Sequence, residues 1–172
     1  MNTIYLVVEK YKWYIIAWFL LNIFQATFTN LHYDEAYYWI YSKILSWGYF
    51  DHPPMVSITT KLGDLISHST LGIRTISILM GTIVLIGILK LIDNKKNKIN
   101  PFLFIISFPL ISSHIAGFLT LPDASLCFFF ILFLFAYKKY LLNESKVNIV
   151  VLSLTIAFMI YSKYHAFLII AI

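Results

Sequence analysis

Two adjacent acids, Asp34 and Glu35, follow 21 residues without a formal charge, Trp13 to Tyr33. A third acid, Asp123, stands between two further apolar runs, and Lys163 closes another. Carboxylates can take a proton from a hydroxyl, orient it or bind a cation, and an ammonium can hold an anion such as phosphate. Between these points, Trp47-Gly48-Tyr49-Phe50-Asp51-His52-Pro53-Pro54-Met55 sets an acid and an imidazole ahead of paired prolines, and Arg74 heads the next apolar run. Charges at a membrane boundary are costly unless paired or used, so carboxylates converging there with a basic residue suggest a site. Spacing alone does not say which chemistry it performs.

The membrane itself is implied by composition. Of 172 residues, 60% are hydrophobic, 18% aromatic and 12% charged, with a mean hydropathy of +0.79, against about 45–50% apolar content in soluble domains. The expected fold class is an all-α integral membrane protein. The single cysteine, Cys127, excludes an internal disulfide. A net charge of +5 in so apolar a chain speaks to topology, with membrane lipids as surroundings and no nucleic-acid partner.

Five segments read as spans: Trp13 to Tyr33, Leu71 to Ile92, Ile99 to Pro122, Ala124 to Tyr137, and Val147 to Ser162. The first is long enough for a hydrocarbon core of about 30 Å, and its run exceeds the apolar region of a cleaved signal peptide. Arg74 and Lys90 can snorkel at the ends of the second, and Pro109 is a natural kink in the third. With the N-terminus cytoplasmic, nine basic residues (Lys10, Lys12, Lys90, Lys95, Lys96, Lys98, Lys138, Lys139, Lys146) fall inside and four (Lys43, Lys61, Arg74, Lys163) outside. That asymmetry satisfies the positive-inside rule and implies a multi-pass protein of the plasma (inner) membrane, its acid-bearing loop outside.

This outer loop, residues 31–70, is far longer than a connector requires. Tyr33, Tyr37, Ile40, Ile44 and Trp47 recur at helical spacing, predicting an aromatic interfacial helix from Tyr33 to Trp47 that ends at Gly48. Asp51-His52-Pro53-Pro54 forces extended backbone. From Pro54 to Ser67, Met55, Ile58, Leu62, Leu65 and Ile66 face one way with Ser57, Lys61 and Asp64 opposite, which predicts a second interfacial helix. Each acid also has a structural reading: Asp34 as an N-cap, Glu35 in the first helical turn, Asp51 as a turn cap and Asp123 as the cap of the fourth span. Lys163 and Arg74 can equally serve as interface anchors. His32, His68, His114 and His165 share no metal-ligand spacing. No metal and no cofactor is expected; a divalent cation on Asp34, Glu35 and Asp123 is the unfavoured alternative.

The stretch Asp34-Glu35-Ala36-Tyr37-Tyr38-Trp39, followed by Trp47 to Met55, resembles the first outer loop of bacterial lipid-linked-sugar glycosyltransferases of the GT-C class. That class includes protein O-mannosyltransferases and the lipid A aminoarabinose transferase. Leu71-Gly72-Ile73-Arg74, Leu121-Pro122-Asp123-Ala124 and Ser162-Lys163-Tyr164 follow in the same order. The resemblance implies inverting transfer of a sugar from a polyprenyl-phosphate donor to a lipid, glycan or protein acceptor at the outer face. It implies Asp34 as base, with Glu35 and Asp123 orienting the acceptor or the developing oxocarbenium charge. Lys163, then Arg74, would hold donor phosphate, and His52 beside Asp51 would donate to phosphate or sugar.

Residues 1–172 are thus expected to form a single N-terminal transmembrane segment of a GT-C-like catalytic domain. The family's C-terminal part is expected to be missing, to be supplied by a separate fragment if the enzyme is active. The alternatives are a transporter or lipid-handling subunit, and a truncated, inactive gene remnant.

Overall fold

The computed structural model describes residues 3–92 and 117–170, and among them every regular element is a helix. They are α1 (Thr3–Phe28), α2 (Tyr33–Lys43), α3 (Met55–Ile66), α4 (Thr70–Ile92), α5 (Pro122–Leu142), α6 (Lys146–Ser162) and α7 (Ala166–Ile170). The protein is an all-α membrane protein. By length and hydropathy α4 and α5 can each cross a bilayer, and α1 passes the same test together with α2, which leaves it at 84°. The fifth expected span is the 17-residue α6, about 25 Å long at 1.5 Å per residue. The third, Ile99 to Pro122, lies outside the described residues except for its last six positions.

Helix α1 begins ten residues before the uncharged run. Val7, Tyr11, Ile15 and Trp18 form a buried stripe against Leu85 and Leu89 of α4, so α1 and α4 are antiparallel. Lys12 meets Glu9 at 2.5 Å, one turn away, which lets the helix carry charge through its first turns. Helices α5 and α6 pack through Leu126 and Met159, with Phe129, Phe130 and Phe133 around them.

Helix α2 ends at Lys43 instead of Trp47, and Ile44 turns to extended backbone. Tyr49 supplies the reason. Its hydroxyl lies 3.0 Å from both the Tyr41 and Ile44 carbonyl oxygens and accepts the Ser46 N–H at 3.1 Å, occupying groups that another helical turn would have used. Helix α3 starts one residue after Pro54 and ends one before Ser67. Its close approach to α4 depends on glycine: a Cβ on Gly63 would run into the Gly72 carbonyl oxygen.

Helices α2 and α3 are joined by Asp64, which accepts from Lys43 Nζ at 2.9 Å and Trp39 Nε1 at 3.3 Å. Lys43 Nζ also lies 4.1 Å from the Trp39 ring centroid, a cation–π contact. The C-terminus of α1, all of α2, the N-termini of α4 and α5 and the C-terminus of α6 thereby gather at one end of the bundle.

Candidate active site at one end of the bundle

The chain leaves α1 and enters α2 through a capping box. His32 is the N-cap: its Nδ1 accepts from the Asp34 N–H at 3.4 Å, and Glu35 Oε2 accepts from the His32 N–H at 3.0 Å. Asp34 is therefore not the cap. It sits in the first turn, where a negative charge suits the helix dipole, with its side chain 44% exposed and 3.6 Å from His32.

Its neighbour Glu35 points the opposite way, into the protein, and is 0% exposed. Arg74, also 0% exposed, grips it in bidentate fashion, Nε to Oε1 at 2.9 Å and Nη2 to Oε2 at 2.6 Å. The remaining guanidinium protons go to the carbonyls of Ala26, Thr29 and Asn30, each at 2.9 Å. Glu35 Oε1 in turn accepts the Thr120 N–H at 2.9 Å. A buried ion pair survives desolvation only when its lone pairs and protons are satisfied in this way. The result is a clamp joining the end of α1, the start of α2, the start of α4 and the 117–121 segment, and it fixes the backbone on either side of Asp34 and just before Asp123.

Asp123 lies in the first turn of α5, behind an N-cap at Leu121 with Pro122 as the first helical residue. It pairs with Lys163 Nζ at 2.7 and 2.8 Å. Lys163 is the C-cap of α6, in extended backbone that breaks the helix and brings its side chain back onto α5. Asp51, after the bend following α2, accepts from the hydroxyls of Tyr37 at 3.2 Å and Tyr41 at 3.4 Å, and its other oxygen lies 3.7 Å from His52 Nε2. The Tyr37 and Tyr41 hydroxyls touch each other, and Tyr41 stacks on Tyr49 with centroids 4.1 Å apart. The phenol of Tyr41 is pushed up, first by its hydrogen bond to Tyr37, then by burial and by Asp51.

Tyr38 connects these parts. It lies one helical turn after Asp34, is 5% exposed, and meets His52 edge-on at 5.4 Å. Burial pushes its phenol well above the ordinary range, and the charges of Asp34, Asp51 and Asp123 raise it further, in that order. Three carboxylates from three separate segments thus act electrostatically on one hydroxyl. The structure pairs Asp51 with His52 and Asp123 with Lys163, brings the charges of Asp34, Asp51 and Asp123 within electrostatic reach of Tyr38, and holds Glu35 with Arg74 in the interior. Among the described residues no three His, Cys, Asp or Glu side chains are gathered as a metal site.

Sequence reasoning missed Tyr38, Tyr49 and Thr120. For Tyr38 the available signal was its four-residue spacing from Asp34, which places both on one face of α2. An apolar cleft of about 420 Å³ opens between Trp47, Pro54 and Met55 on one side and Leu154, Phe158 and Tyr161 of α6 on the other. Its α6 wall ends at Tyr161, two residues before Lys163.

No curated protein and no solved structure matches the chain. A family comparison does: residues 51–172, which include Asp51, His52, Arg74, Asp123 and Lys163 but not Asp34 or Glu35, match the family described as dolichyl-phosphate-mannose-protein mannosyltransferase. With 122 of 172 positions matched, and with helices of membrane-spanning length carrying the acids to one end, the chain belongs to the dolichyl-phosphate-mannose-protein mannosyltransferase family of GT-C glycosyltransferases.

Proposed function

We propose that the acid-lined end of the bundle is an outer-face site where a sugar leaves a polyprenyl-phosphate donor and joins an acceptor hydroxyl, with inversion at the anomeric carbon. The observation that carries this reading is the convergence of the charges of Asp34, Asp51 and Asp123 on Tyr38, with Lys163 paired to Asp123 and an apolar cleft lined by Trp47, Pro54 and Tyr161. Asp34 is the exposed acid of the adjacent pair and takes the acceptor's proton as the new glycosidic bond forms. Phosphate leaves without needing a proton, but its charge must be met. The Lys163 ammonium has three protons, of which Asp123 takes at most two, and the remaining one is free for a phosphate oxygen. His52 supplies a further donor to sugar or phosphate, and Asp51 orients it. The isoprenoid chain lies in the apolar cleft, where its contacts replace those with bilayer lipid.

Arg74 and Glu35 have no free valence for substrate, so in this scheme they hold Asp34 and Asp123 in place. The membrane is the plasma membrane and the N-terminus is cytoplasmic, which sets the acids outside. An acceptor of lipid, glycan or protein type approaches from the aqueous side.

The experiment is transfer from labelled polyprenyl-phosphate sugars, dolichyl-phosphate mannose first, in membranes carrying the native protein, with the product's anomeric configuration read by NMR. Sugar transfer with inverted configuration is expected. Retained configuration would remove Asp34 as a base acting in a single displacement, and no transfer from any lipid-linked sugar would contradict the assignment.

A further inference from the structure

Tyr38 is more than nine-tenths buried, yet its hydroxyl has no hydrogen-bond partner among the described residues. Buried hydroxyls in folded proteins are nearly always paired. Nor is this one sealed away. Among the described residues the only side-chain polar atom both enclosed and unpartnered is Ser57 Oγ, so the Tyr38 oxygen keeps some accessible surface. The His52 ring stands edge-on to the phenol, and the charges of Asp34, Asp51 and Asp123 all act on it.

The ring is fixed from two sides, edge-on to His52 at 5.4 Å and to Tyr37 at 5.6 Å. A hydroxyl held rigidly, reachable and unpaired is pre-organised for a ligand atom. A carboxylate accepts hydrogen bonds and donates none. A sugar hydroxyl both donates and accepts, so one that donates to a carboxylate still has lone pairs to fill. The phenol answers that need, and with its ionisation pushed upward it remains a donor throughout the physiological range.

We propose that Tyr38 is a sugar-binding residue, its hydroxyl donating to a hydroxyl of the transferred sugar that in turn donates to one of the surrounding carboxylates. The inference rests on the glycosyl-transfer reading and adds to it the residue that recognises the sugar ring. The contact is made before and during transfer alike, so it governs binding of the donor more than turnover.

The test compares the native protein and Tyr38→Phe in membranes on dolichyl-phosphate mannose and its monodeoxy analogues. Phenylalanine keeps the ring contacts and removes only the hydroxyl. Loss of one neutral hydrogen bond should raise the donor KM about three- to tenfold with kcat within about twofold. One monodeoxy donor should bind the native protein and the variant equally, because its own half of the hydrogen bond is already gone. para-Aminophenylalanine in place of Tyr38, which restores a donor at the same position, should recover most of the loss. An unchanged KM, a loss confined to kcat, or a penalty that persists on every deoxy donor would overturn the proposal while leaving glycosyl transfer standing. A native protein that transfers sugar from no lipid-linked donor would bring down the glycosyl-transfer reading first, and this inference with it.

Discussion

At the scale of single residues, neighbours in sequence have opposite fates. Asp34 and Glu35 are adjacent, and a helix turns successive side chains by about 100°, so one meets water and the other the interior. Sequence reading singled out both acids and Arg74 but could not pair Glu35 with Arg74, because the partners are 39 positions apart and Thr120 is 85 away. Arg74→Ala would leave a buried, uncompensated Glu35 and release three backbone carbonyls. The expected cost is about 3–5 kcal/mol, seen as a lower melting temperature in detergent, while Lys163→Ala, which breaks a pair that keeps 21% and 29% of its side-chain surfaces exposed, should cost far less. Equal stability of the two variants would mean that the clamp does not hold the site together.

At the scale of elements, α4 and α3 were legible to within a residue or two, because an unbroken apolar run and an amphipathic stripe bounded by Pro54 determine them. The end of α2 was not legible, since it depends on a hydroxyl arriving from Tyr49. The start of α1 was hidden for another reason: counting uncharged residues overlooks a charged turn whose other face is buried. The Asp64 link between α2 and α3 carries its own pH dependence. Lys43, Trp39 and His68 bear on Asp64, and the Lys43 hydrogen bond, the largest influence, holds its carboxyl below the ordinary carboxylate range. A carboxyl depressed on folding adds stability that is complete above the unfolded value, about pH 4, and fades as the pH falls below it. Acid should therefore loosen α2 from α3, measured as faster proteolysis of the 44–54 segment below about pH 4. Asp64→Asn should flatten that dependence, and an unaltered acid response in the variant would assign it elsewhere.

At the scale of the whole molecule, α1 and α6 end, and α4 and α5 begin, at the same rim, so acids from segments far apart in sequence arrive there, while most of the described lysines lie toward the other helix ends. Charge asymmetry and apolar runs made that layout readable from sequence, whereas the cleft beside Trp47 and the burial of Tyr38 required the packing itself. A reporter fused after Asn97 should be cytoplasmic and one after Asp64 external; the reverse would put the acids on the wrong side for the proposed chemistry. The proposed transfer depends above all on Asp34. The decisive measurement is the rate of sugar transfer from a polyprenyl-phosphate donor by the native protein and by Asp34→Asn at equal levels in the membrane. Removing a general base should lower kcat by about 10²–10⁴-fold, with insertion and melting unchanged. Turnover near that of the native protein would contradict the account.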